Sequence, residues 1–136
     1  MGQSSRIAIP VAALAAGIAA PGQAQMDEFY IADLAGNIRG EATLTLEWRE
    51  SEESGAHFCY AISAFGGLAN ARSAHLHRGA GGPVAMEFDA PGGVENGSDG
   101  CIAPASGLRE EIAADPSAFV ADIHTPDGTI AGTLER

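Results

Sequence analysis

Positive charge is scarce in this chain. Seven Arg and Lys residues stand against eighteen Asp and Glu, for a formal net charge of -11 at pH 7. Nucleic acid and anionic lipid headgroups are poor partners for such a chain, because both are met by clustered cations, and no nucleic-acid partner is expected. Cysteine is nearly absent: Cys59 and Cys101 are the only two, so only one intramolecular bridge can form. No apolar run reaches the roughly 20 residues of a membrane-spanning helix. A phosphate-binding glycine fingerprint, a GxSxG nucleophile elbow and a DxDxDG calcium loop are all missing, as are internal repeats and heptads. Hydrolysis by a triad is thereby removed from consideration, and so is an EF-hand.

The N-terminus carries one polar, singly basic stretch over residues 1–6. An apolar segment over 7–20 (IAIPVAALAAGIAA) follows, and then small residues up to Ala24. This is the pattern of a secretory signal peptide, with cleavage expected after Ala24. Removing 24 residues from 136 leaves 112, enough for one domain over 25–136. Losing Arg6 takes the charge from -11 to -12. The expected location is secreted or periplasmic, with no stable membrane span after cleavage. In an oxidising compartment the default state of Cys59 and Cys101 is a disulfide.

What is abundant is strand-period alternation. Residues 42–48 (ATLTLEW) place Leu44, Leu46 and Trp48 on one face, and residues 57–65 place Phe58, Tyr60 and Ile62 on one face. A charged, Gly-containing break over 49–55 joins the two runs as a hairpin. Further strands are expected over 29–34, 73–77, 84–88, 119–125 and 129–134. Glycine-rich turns lie at 78–83 (RGAGGP) and 126–128, and residues 91–100 (PGGVENGSDG) read as a loop that Cys101 pins to the strand of Cys59. One short helix is expected over 106–114, with Ser106 as its cap, Leu108 and Ile112 on its buried face and Pro116 ending it. Strands without crossover helices exclude a parallel α/β fold. The expected fold is all-β with one short helix, an antiparallel Greek-key β-sandwich or barrel, immunoglobulin-like or superoxide-dismutase-like.

Three histidines carry the chemistry. His75 and His77 are two apart and point to one face of a strand, and His124 sits in another strand. Imidazole suits copper, zinc, nickel and iron, so His75, His77 and His124 together make a three-nitrogen metal site with an open position. The competing reading is three ordinary polar residues on a solvated face. Asp122 shares the strand face of His124, where it orients an imidazole or ligates directly. His57 shares the face of Cys59 and reads as a surface residue.

Taken together, the sequence SAHLHRG at 73–79 followed by Gly82-Pro83-Val84 resembles the AHIHxG…GPVV signature of the CHRD (chordin) domain. Residues 98–101 (SDGC), 108–116, 119–125 (FVADIHT) and 128–134 (GTIAGTL) are similar to further steps of that family, in order. The likeness covers 44–134. Two positions depart from it: Asp122 stands where Asn is usual and Ala131 where Arg is usual. The resemblance implies a short bacterial exported protein, and it implies a fold and a compartment more than a reaction. A fainter similarity, in ligand order only, is to copper–zinc superoxide dismutase, without a counterpart of that enzyme's zinc-site histidines. The leading expectation is a protein that binds one transition-metal ion, copper before zinc, with superoxide or other redox activity. The alternative is a non-catalytic extracytoplasmic module that binds a protein or a polysaccharide.

Overall fold

A computed structural model describes residues 28–66, 68, 70–92 and 97–136. The expected signal segment lies outside them. The longest strands are β2 (Glu41–Ser51) and β3 (Gly55–Phe65), paired antiparallel with Leu44 opposite Ile62, Leu46 opposite Tyr60 and Trp48 opposite Phe58. A slip of one residue would turn this whole apolar set to solvent, so the alternation itself fixes the register. The charged stretch after Trp48 does not end the strand as expected. Pairing continues to Ser51 opposite Gly55, since polar side chains are compatible with a ladder whose outer face is wet. Arg49 pairs with Glu47 on that face at 2.6 Å, and the Ser54 amide donates to Ser51 Oγ at 2.9 Å to close the turn.

Around this hairpin run β1 (Phe29–Gly36), β4 (Ser73–Arg78), β5 (Val84–Phe88), β6 (Gly97–Ile102), β7 (Phe119–Thr125) and β8 (Gly128–Thr133). The strand order is β5-β4-β7-β8-β1-β2-β3-β6. The long returns that bring β6 beside β3 and β7 beside β4 are Greek-key connections. β1 joins the two halves, pairing with β2 through Leu34 and with β8 through Ala35 and Gly36. The result is a nearly closed antiparallel β-barrel around one core that includes Tyr30, Leu44, Leu46, Phe58, Leu76, Ile123 and Ile130. No polar or charged residue is buried as a whole among the described residues, although single polar atoms are. At the seam between the outermost strands, Tyr60 meets Phe88 at 4.7 Å. The Asp89 amide donates to Tyr60 Oη, and Ser98 Oγ donates to the Asp89 carbonyl.

Strand β6 corrects the sequence reading over 97–100, which falls within the loop expected at 91–100. Small residues are required here for packing. A Cβ on Gly100 would lie 3.0 Å from the Tyr60 ring, so glycine lets the edge strand close over the core. Cys101 pairs directly opposite Cys59, and the two form a disulfide.

Helix α1 (Leu108–Ala114) buries Leu108 and Ile112 as expected. Its N-cap is Gly107 rather than Ser106, and no side chain caps it. Ion pairs anchor it instead. Arg109 binds Glu28 at 3.0 Å and Glu50 at 3.2 Å while lying 4.6 Å over the Trp48 ring. Arg78 binds Glu111 at 2.9 Å and holds the Glu111 carboxyl below its ordinary range. After it come a 3-10 turn (Pro116–Ala118) and β7. No described helix is long and apolar enough to cross a membrane.

Candidate metal centre

Strands β4 and β7 are neighbours, and period-2 alternation sorts their side chains between two environments. Ala74 and Leu76 of β4, with Phe119, Ala121 and Ile123 of β7, enter the core. His75, His77, Asp122 and His124 are left on the outer face. The register sets His75 opposite Asp122 and Ser73 opposite His124, which brings the distant histidine to the HxH pair. Spacing along the sequence could place the first two together but not the third.

One donor atom from each of the four residues lies within 4.8 Å of the other three. The shorter contacts are tighter. Asp122 Oδ2 is 2.9 Å from His77 Nε2 and 3.1 Å from His124 Nε2, and Oδ1 is 3.4 Å from His75 Nδ1. Ligands held by bonds of about 2.0–2.1 Å stand about 2.9 Å apart at right angles and about 3.3–3.4 Å apart in a tetrahedron. The contacts between Asp122 and the histidines fall in that range. The His75 ring lies 5.5 Å, centre to centre, from the rings of both His77 and His124.

Hydrogen bonding inside the cluster does not account for it. His75 Nδ1, His77 Nε2 and Asp122 Oδ1 are buried and have no hydrogen-bond partner, although side-chain contacts of 2.9–3.4 Å surround them. The contacts are short but not aligned for donation. A carbonyl only accepts, so the 2.8 Å bond from His77 Nδ1 to the Gly82 carbonyl places the proton of a neutral ring on Nδ1. Nε2 then turns a bare lone pair toward the carboxylate. Two lone pairs 2.9 Å apart repel unless a cation, proton or metal, lies between them.

The outer nitrogens are held from behind. His124 Nδ1 bonds Thr129 Oγ1 of β8 at 3.0 Å, as His77 Nδ1 bonds Gly82. Such bonds fix tautomer and ring direction in metal-binding histidines. The glycine-rich turn therefore has a part that composition did not reveal. A register shift between Leu76 and His77 re-aims the second histidine, and the chain folds back so tightly that a Cβ on Gly82 would lie 1.9 Å from the Arg78 carbonyl. Asp122 contacts the inward nitrogens rather than the outer ones, which is the position of a ligand. Side-chain exposure is 18% for His75, 12% for His77 and 13% for Asp122 but 42% for His124, so the cluster opens to solvent on one side.

His57 does not join this group. It lies near Cys59 and Cys101, on the outer face of β3 and β6. No protein-family model, curated protein or solved structure matches the chain, so function is read from the geometry of its sites. Asp122 stands directly opposite Ala131 across β7 and β8.

Proposed function

We propose that this chain is an exported, CHRD-type β-protein that binds one copper ion through His75 Nδ1, His77 Nε2 and His124 Nε2, with Asp122 as a fourth donor. The observation that carries the reading is the set of three buried, partnerless polar atoms converging on one another, which a metal ion satisfies together. Histidines kept for structure alone would have exchanged those lone pairs for hydrogen bonds. Copper is chosen over zinc because mixed imidazole and carboxylate donors follow the Irving–Williams order, in which copper binds most tightly. Export is supported by the signal-like N-terminus and by the disulfide, which persists in oxidising compartments.

The open side at His124 gives a small reactant access to the ion, and superoxide is the reactant proposed. Calorimetry and metal analysis of the mature protein, beside the triple variant His75→Ala, His77→Ala, His124→Ala, test the metal site. One tightly bound copper per chain, lost in the variant, supports it and justifies a superoxide assay. Absent binding, or binding that survives the triple substitution, rejects the metal site and favours a non-catalytic module that binds a protein or a polysaccharide.

A further inference from the structure

A second donor group lies on the outer face of β3 and β6, clear of the copper ligands. His57, Cys59 and Cys101 each place one ligand atom within 4.8 Å of the others. Cys59 and Cys101 are direct cross-strand partners, and His57 lies two residues along β3 on the same face as Cys59. Cys101 is an exposed residue on β6, which ends the described strand order beside β3. On the adjacent strand, Glu47 stands opposite Cys59 and Arg49 opposite His57.

We propose that Cys59–Cys101 is a reversible bridge gating a zinc site made of both cysteines and His57. A dithiol reductant attacks Cys101 Sγ as a thiolate, breaks the bond between the two sulfurs and releases Cys59 as the leaving thiolate. The second thiol of the reductant then resolves the mixed disulfide. It frees Cys101 and leaves the reductant as a disulfide, with two electrons transferred to the protein sulfurs. Zinc displaces the remaining thiol proton and is held by two sulfurs and one nitrogen, with water in the fourth position. Zinc–sulfur bonds of about 2.3 Å put the sulfurs about 3.8 Å apart, a separation open to side chains at directly opposite strand positions. A disulfide oxidant that takes up two electrons, and is itself reduced to a dithiol, re-forms the bridge by the reverse exchange and releases the ion. The outer faces of the barrel would then hold two metal sites, one built from imidazole and carboxylate and one conditional on reduction.

The test uses the mature protein carrying His75→Ala, His77→Ala and His124→Ala, so that the first site is silent. After reduction with a dithiol and removal of the reductant under inert gas, it is titrated with Co2+ as a spectroscopic substitute for Zn2+. One Co2+ per chain, with sulfur-to-cobalt charge-transfer absorption that disappears on reoxidation, is expected. Addition of His57→Ala is expected to weaken binding at least ~10-fold while the circular dichroism of the reduced protein is unchanged. A bridge that resists dithiol in the folded protein overturns the proposal. So does a reduced protein that loses its folded spectrum, takes up no Co2+, or binds it equally well with His57→Ala.

Discussion

Two outer faces of one barrel, built by the same rule, end in opposite chemical states. On β4 and β7, four donors alternate with core residues, and cross-strand pairing brings them together with their inward lone pairs unanswered. On β3 and β6, two cysteines stand opposite each other and have answered one another covalently. Antiparallel pairing supplies proximity in both places, and the identity of the donors decides the outcome. Sulfur closes on sulfur under oxidising conditions, whereas imidazole and carboxylate cannot close without a cation.

The comparison breaks most sharply if the imidazoles are removed. His77→Ala alone removes a donor whose ring is already oriented by Gly82, and we expect copper affinity to fall by more than ~100-fold in competition titrations. Circular dichroism should be unchanged, because the ring faces outward. On the other face, Cys59→Ser with Cys101→Ser frees a loop with a sequence separation of 42. The entropy of that loop predicts a loss of about 4 kcal/mol in urea unfolding. Native stabilities of about 5–15 kcal/mol leave the domain folded. Copper binding should persist in this variant, and its loss would show that the two faces are coupled.

The next effect concerns the shaping of the first face. Gly82→Ala forces the turn off the Arg78 carbonyl and displaces the carbonyl that holds His77, so copper affinity should fall ~10–100-fold with the four donors intact. Thr129→Val removes the bond behind the more exposed His124, and the loss should lie at the low end of that range. Equal affinity in Gly82→Ala and the wild type would mean that the turn orients nothing.

Part of this contrast is legible in the sequence and part is not. The β2–β3 hairpin, the shared face of His75 and His77 and the pairing of Cys59 with Cys101 come from alternation and simple counting. The convergence of His124 does not, since it depends on β7 lying beside β4, a contact between strands far apart along the chain. Strand β6 is hidden because its Gly-rich composition has the look of a loop, while Gly100 is selected by the Tyr60 ring beneath it. The cap of α1 is missed because Ser106 lies one residue too early and Gly107 occupies the N-cap position. The carbonyl of Gly82 leaves no trace in residue type at all, since every residue has one.

The smallest effect lies away from both faces, at the ion pair that ties α1 to β4. The bond from Arg78 depresses the Glu111 carboxyl, so its contribution is present above the ordinary glutamate range and lost as pH falls through the depressed value. NMR titration of Glu111 should give a midpoint below that of an exposed glutamate. Arg78→Gln should restore it to the ordinary range.

The central claim is that the imidazoles of His75, His77 and His124 converge on one ion. Electron paramagnetic resonance of the protein spanning residues 25–136 with one equivalent of Cu2+ tests it most directly. The account predicts a single tetragonal copper signal with splitting from three imidazole nitrogens, reduced to two in His124→Ala. A signal from copper bound without imidazole nitrogen, or one unchanged by His124→Ala, would contradict it.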